Sequence, residues 1–396
     1  MARTFFGSFT QQEAIPAEAV AAVLDVLRTG RLHRYNLAEG EVGEVAALEA
    51  EYRDWQGSAY CLAVTSGGQA LQIAMRAAGV TPGTVVLTNG FTLAPVPGAI
   101  VAVGGQPLLV EIDENLRLDL DDLTARIDES GARFLLLSHM RGHLCDMDRL
   151  MDICDRAGVT VIEDCAHTMG ARWNGKRSGN FGKAACFSTQ TYKHMNSGEG
   201  GFLTTDDPDL AARATILSGS YMLYGRHGAG PDAAAFARAR SEMPNCSARM
   251  DAVRAALLRP QLAGLDRNID RWNARYRIVE RALQGDNQIA TIDRPAAETF
   301  VGSSIQFRLP GFSSEQCLAL LRTAADLGVE LKWFGRDEAA GFTSSHRNWH
   351  YIPRQSLPRT DRILATLFDM RLPLTFSEAD CETVGSLIRQ SVREVS

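Results

Sequence analysis

The feature that most restricts this chain is an alternation of two periods through its middle. TVVLT (84–88), QPLLVEI (106–112), RFLLLSH (133–139), VTVIEDC (159–165) and AACFSTQ (184–190) are short apolar, β-rich runs. Helical patterns lie between them, such as QALQIAMRAAG (69–79), LDDLTARIDESG (120–131) and DMDRLMDICDRAG (146–158). Each of these closes on glycine, at Gly79, Gly131 and Gly158, the residue expected just past a helix C-terminus. Near-continuous apolar strands alternating with helices predict an α/β fold, a mainly parallel sheet covered on both faces.

After GGFLTT (200–205) the pattern becomes helical, first in DPDLAARATILSG and then from about Met250 to Leu283. Residues 219–245 break the periodicity and read as a loop over the surface or a partner. From about 290 the texture changes to SSIQFRLP, SEQCLALLRTAADLG, VELKWF and a closing helix, SEADCETVGSLIRQSVREV. The expected organisation is a large domain over 1–285 and a smaller C-terminal α+β domain over 286–396.

Composition narrows the function classes. The 396-residue chain carries a net charge of −6, which argues against general binding to nucleic acid or an anionic membrane. No apolar run approaches the length of a transmembrane helix, and the first 20 residues lack the apolar stretch of a signal peptide. The eight cysteines form no C-x-x-C pair and read as buried, reduced thiols of a cytoplasmic protein.

In a parallel α/β sheet, ligands bind beyond the carboxyl ends of the strands. Three stretches fall there. In VTSGGQALQIA, Ser66, Gly67 and Gly68 precede a helix whose free N–H groups and dipole can hold a phosphate. A plain glycine turn with a serine cap explains them equally well. In VIEDCAH, Glu163 and Asp164 close a strand, and a carboxylate there can pair with a cationic ring nitrogen or simply cap a helix. His167 follows, either against a ligand ring or in a pocket wall. In TYKHMNSGEGG, Lys193 comes just after a strand that ends near Ser188. A partly desolvated lysine has a lowered pKa and can form an imine. A solvated surface lysine has no need of the glycines that follow. A phosphate cradle, an acid and an imine-forming lysine are together the requirements of pyridoxal 5'-phosphate.

These motifs resemble the DegT/DnrJ/EryC1/StrS family of fold-type-I enzymes that use pyridoxal phosphate, chiefly sugar and aminocyclitol aminotransferases. TSGGQAL is similar to the family's S-N-G-T-x-A-L, VIEDCAHTMGA to I-E-D-A-A-Q-A-x-G-A, and CFSTQTYKHMNSGEGG to F-S-F-x-x-T-K-N-x-x-x-x-E-G-G. The resemblance implies Lys193 as the imine lysine and Asp164 as the partner of the pyridinium nitrogen. It places Ser188 and the turn Gly67–Gly68–Gln69 at the phosphate and His167 near the phenolic oxygen. SARMDAVRAALLRPQL is similar to a further motif, which implies that Arg249 faces substrate in the neighbouring subunit's site of a homodimer. The chain departs from the pattern at Gly68, Leu93, Ser247, Gln190 and Tyr192. Asn245 is a candidate replacement for the asparagine missing at Ser247, and Phe91 for the aromatic missing at Leu93.

The expected activity is transamination. Glutamate or glutamine would convert the cofactor to pyridoxamine phosphate, and a keto group on a sugar, cyclitol or related intermediate would receive the nitrogen. The alternatives are a lyase or dehydratase on the same scaffold, a cofactor-binding regulatory protein, and a metal hydrolase using His139, His143, His167 and Asp164. For the last, the MRG between His139 and His143 breaks the helix that i, i+4 ligands need, so no metal is expected.

Overall fold

The computed structural model describes residues 4–240 and 242–396. Seven strands form the central sheet: β1 (Tyr60–Val64), β2 (Val85–Asn89), β3 (Gln106–Val110), β4 (Phe134–Ser138), β5 (Thr160–Asp164), β6 (Ala184–Ser188) and β7 (Gly201–Thr205). Their order is β1-β7-β6-β5-β4-β2-β3. All neighbours are parallel except at β7, which runs antiparallel to both β6 and β1. Five of these strands match the apolar runs to within two residues. The YCLAV strand and the GFLTT strand were not expected; each is a short run beside glycine or serine and carries no periodicity of its own.

The helices begin and end where the residue chemistry requires. Asp119 and Asp146 accept hydrogen bonds from the first-turn N–H groups of Leu120–Ser130 and Met147–Ala157. Gly131 and Gly158 close the same helices at φ 63° and 64°, where a side chain would be strained. The stretch 250–283 is two helices rather than one. Ala252–Ala263, which contains Pro260, ends at Gly264, and Leu265–Gln284 starts at once. Residues 219–245 are less irregular than the sequence implied. Asp232 caps a short helix, Ala233–Ala239, whose Phe236 stacks on Tyr224.

A second sheet pairs β8 (Ser304–Arg308) with β9 (Leu367–Arg371), flanked by Ala290–Thr291 and Lys332–Trp333. Only two residues of VELKWF are strand. Phe307, Phe368, Leu320 and Ile388 fill a core between this sheet and the helices Ser314–Asp326 and Glu378–Val395. Phe5 and Phe9 join that core, edge-on to Phe376. The helix Leu265–Gln284 bridges the two cores, with Ile269 and Trp272 in the large one and Val279 and Leu283 in the small one. Among the described residues no helix is long and apolar enough to cross a membrane.

One buried ion pair ties the N-terminal segment to the sheet. Glu49 meets Arg34 through two bonds of 2.8 and 2.9 Å and also accepts the N–H of Ala63 in β1. His227 closes the cluster, 3.1 Å from the Tyr35 hydroxyl. Removing one member strands a desolvated charge, which costs about 3–5 kcal/mol. Glu49→Ala should therefore lower the apparent melting temperature sharply, and Arg34→Met/Glu49→Leu should recover most of the loss. A Glu49→Ala protein that melts with the wild type in differential scanning calorimetry would show that the pair does not hold this region.

Candidate active site

Side chains alternate across a strand, so Glu163 and Asp164 at the end of β5 face opposite ways and do different work. Glu163 is fully buried and accepts the N–H groups of Gly179, Phe181 and Gly182 at 2.8–2.9 Å, with His139 Nε2 at 3.0 Å. Burial alone would raise its pKa, but His139 and these amides outweigh it and hold the carboxyl below its ordinary range. His139, Glu163 and Cys165 lie close enough to suit a metal. Glu163 is already saturated, however, and burial pushes the Cys165 thiol well up. The other proposed metal ligands are dispersed, His143 onto Gln306 and His167 onto Lys193.

Asp164 faces a cavity of about 480 Å³ beyond the strand ends. Its carboxylate accepts from the Ala166 N–H and from Ser138 Oγ, both at 3.1 Å. Ser138 closes the neighbouring β4 and accepts in turn from Thr92 Oγ1 at 2.7 Å. Burial pushes the Asp164 pKa up, with Ala166, Lys193 and Ser138 working against that shift.

Lys193 lies on the excursion between β6 and β7. Three backbone bonds zip this loop shut: Thr189 N–H to Gly200 O, Ser197 N–H to Thr189 O and Thr191 N–H to Gly198 O. The glycines serve close packing. A side chain on Gly201 would sit 2.6 Å from the Phe187 carbonyl and 2.7 Å from the Gly67 nitrogen. The Lys193 amine enters the cavity and lies 2.8 Å from His167 Nε2. Burial first, then the nearby Arg141, brings its pKa down to about 7, with Asp164 pulling the other way. His167 is held well below its usual value by burial and by Lys193, which favours a neutral ring, and its Nε2 shares a hydrogen bond with the amine. His194 follows Lys193 on the same loop. It is buried against Trp272, with Nε2 3.1 Å from Ser303 Oγ.

Opposite sides of one turn complete the cradle. Ser66 caps the helix Gly67–Ala78 by accepting from Gln69 N–H at 3.1 Å. Gly67 approaches Ser188 so closely that an added Cβ would lie 2.9 Å from the serine's own Cβ, whereas Gly68 is open. Ser66, Gly67, Gly68 and Ser188 all line the cavity. Gln69 does not, and its N–H is already used by the cap.

Three other candidates lie elsewhere. Phe91 points into a core, edge-on to Phe334 at 5.0 Å, and Leu93 rather than Phe91 lines the cavity. Arg249 donates to the Gly219 carbonyl at 2.7 Å, and Asn245 turns back to accept from the Ser247 N–H. Neither reaches the Lys193 cavity of its own chain. In the stretch HRNWHY (346–351), His346 pairs with Asp361 and Trp349 is buried, while Gly341, Phe342 and Ser344 just upstream line the cavity. Sequence reasoning missed Thr92, Ser138, Arg141 and Arg371, which no local motif marks. Of the eight free cysteines, Cys246 is exposed rather than buried.

An amine, a carboxylate and a helix N-terminus gathered beyond the carboxyl ends of a mainly parallel sheet suit pyridoxal phosphate, and the fold is that of the fold-type-I aminotransferases. The chain belongs to the DegT/DnrJ/EryC1/StrS aminotransferase family, whose sequence profile it matches over residues 13–389. It is 31% identical over 294 residues to the 3-amino-5-hydroxybenzoate synthase of Amycolatopsis mediterranei (strain S699), a match covering 72% of each chain. It is 35% identical over 200 residues to the L-glutamine:scyllo-inosose aminotransferase of Streptomyces griseus, covering 50% of this chain and 47% of that one. The crystal structure of a 3-amino-5-hydroxybenzoic acid synthase superposes with a TM-score of 0.83 at 26% identity, over 99% of this chain and 100% of the other.

The lowered pKa of Lys193 has a direct consequence. An amine attacks a carbonyl only when unprotonated, so its reactivity rises with pH through its pKa. Without cofactor, the protein's capture of an aromatic aldehyde, trapped with borohydride, should rise with a midpoint near pH 7. A midpoint near that of an ordinary lysine would show that the amine is solvated.

Proposed function

We propose that Lys193, Asp164, His167, Ser188 and the Gly67–Gly68 turn hold pyridoxal phosphate. The chain then moves an amino group from glutamate or glutamine to a keto group on a sugar, cyclitol or related metabolite. The carrying observation is the Lys193 amine, placed inside the cavity that Asp164 also faces, with its pKa brought down to about 7. The residues fit the cofactor. Gly67 and Gly68 open the first turn of a helix, where N–H groups lack intrahelical acceptors and suit a phosphate, with Ser188 alongside. Asp164 suits a cationic ring nitrogen, whose charge would reverse the upward pull of burial and keep the carboxyl ionised. The bound cofactor supplies an electron sink for the substrate carbon. Lys193 would hold it through its amine and, once released, take up and return a proton at Nζ. His167 orients that amine through the 2.8 Å bond.

A homodimer fits the placement of Arg249 and Asn245. Arg249 lies over the ring of Tyr221, which is 58% exposed, and Asn245 lies with Arg249 near Gly219, so the two would serve a second copy's cavity instead of their own. The free cysteines support a reducing, cytoplasmic setting.

Purified wild type should show the visible band of lysine-bound cofactor, and glutamate or glutamine should convert it. Lys193→Ala should lose the borohydride-fixed mass addition and about a thousandfold in turnover. A Lys193→Ala protein that still takes up cofactor covalently would overturn the assignment. Sedimentation should give twice the 43.1 kDa chain mass; a monomer with full activity would remove the case for shared sites.

A further inference from the structure

Two arginines in the transfer cavity have no task in the roles given above. Arg141, three residues past β4, sits at φ 55°, a left-handed conformation in which arginine is strained. Only 7% of it is exposed, and its Nε and Nη2 find no hydrogen-bond partner among the described residues. Asp369 is 3.1 Å from Nη2 as a buried ion pair, without a hydrogen bond between them. Asp369 also serves Gln306 at 2.8 Å and Lys332 at 3.4 Å. Arg141 nevertheless lines the cavity, and a buried guanidinium so poorly supplied with hydrogen-bond acceptors favours an anion within its reach. Arg371, at the end of β9, lines the same cavity from the other sheet. Its guanidinium lies 3.8 Å from the centre of the Tyr192 ring and 5.2 Å from that of Phe342. Stacking of this kind covers the flat face of the group and leaves its N–H edge free.

We propose that Arg141 and Arg371 form a carboxylate subsite, and that the keto substrate aminated here carries a carboxylate a few bonds from its carbonyl. The inference rests on the aminotransferase reading and narrows its substrate class. A carboxylate is planar and matches the guanidinium fork in two parallel hydrogen bonds. Position separates it from the diphosphate of a nucleotide-linked sugar. Arg141 follows β4 by three residues, and Ser138 at that strand's end is paired in register with Asp164. An anion held by Arg141 shares one cavity with the Lys193 amine, whereas the diphosphate of a nucleotide-linked sugar sits a whole ring away from its carbonyl. Both guanidinium groups are also near enough to depress the Lys193 amine, so an anion between them relieves that charge. Since donor and acceptor occupy one cavity in turn, the amino acid's carboxylate would use the same subsite.

The test uses the holoenzyme. Glutamate or glutamine first converts the bound cofactor, and excess donor is removed. Reoxidation of the cofactor is then followed by absorbance with 3-oxocyclohexane-1-carboxylate, its methyl ester, and scyllo-inosose as an uncharged ketone. The acid should react at least tenfold faster than its ester, and Arg371→Gln should erase that preference while Arg371→Lys keeps part of it. Calorimetry of benzoate against benzamide should show the same tenfold difference, reduced in Arg141→Gln. If Arg371→Gln does not fold, the wild-type comparison of acid with ester decides alone. Equal rates for acid and ester, or a tenfold faster reaction of scyllo-inosose, would overturn the subsite. Failure of the donor to convert the cofactor at all would instead sink the aminotransferase reading.

Discussion

The carboxylate of Glu163 is the interaction on which this cavity depends. It collects three backbone amides and an imidazole at the end of β5, in a place fully buried from solvent. An unsatisfied amide there would cost about 1–3 kcal/mol, so the turn 179–182 and the strand end are fixed relative to each other. With Glu163 committed to one face, the pleat leaves Asp164 no choice but the other. Ser138 on the adjacent strand then steadies Asp164, and Thr92 steadies Ser138. The acid of the site is positioned by sheet register rather than by a loop.

Burial sets the charges in this cavity more than pairing does. It is the largest cause of every shift at Asp164, His167 and Lys193, and each moves toward its neutral form. The helix N-terminus at Gly67 contributes a fixed positive potential, equivalent to about half a charge, that needs no proton. The site thus keeps a permanent attraction for a phosphate while its amine stays nucleophilic near neutrality. Two arginines, which cannot be deprotonated, hold the remaining positive charge.

Much of this was legible in the sequence, and the physical reason is locality. Strand runs closed by glycine-capped helices are written in contiguous residues, as are Ser66–Gly68, Glu163–His167 and the Lys193 loop. What was illegible depends on direction or distance. Phe91 and Leu93 both follow β2, and nothing in NGFTLAPV tells which side chain turns toward the cavity and which toward Phe334. Arg141 and Arg371 are two among 41 lysines and arginines, brought together only by the docking of one sheet on another. β1 and β7 were missed because five residues beside glycine carry too little pattern, although β7 closes the sheet around the lysine loop. Gln69 was read as a ligand contact because it continues the SGG turn, yet the serine cap takes its amide.

The zipped loop between β6 and β7 bears on timescale. Its two ends are stitched together and Gly201 is wedged against the backbone of Phe187 and Gly67, so the main chain carrying Lys193 has little room to breathe. Whatever displacement accompanies each turnover must be carried by rotation about the four methylenes of the lysine. Such rotamer changes are intrinsically fast, picoseconds to nanoseconds where a side chain is free. The slow events in a catalytic cycle on this frame therefore belong to what enters and leaves, past a lining that includes the half-exposed Phe342.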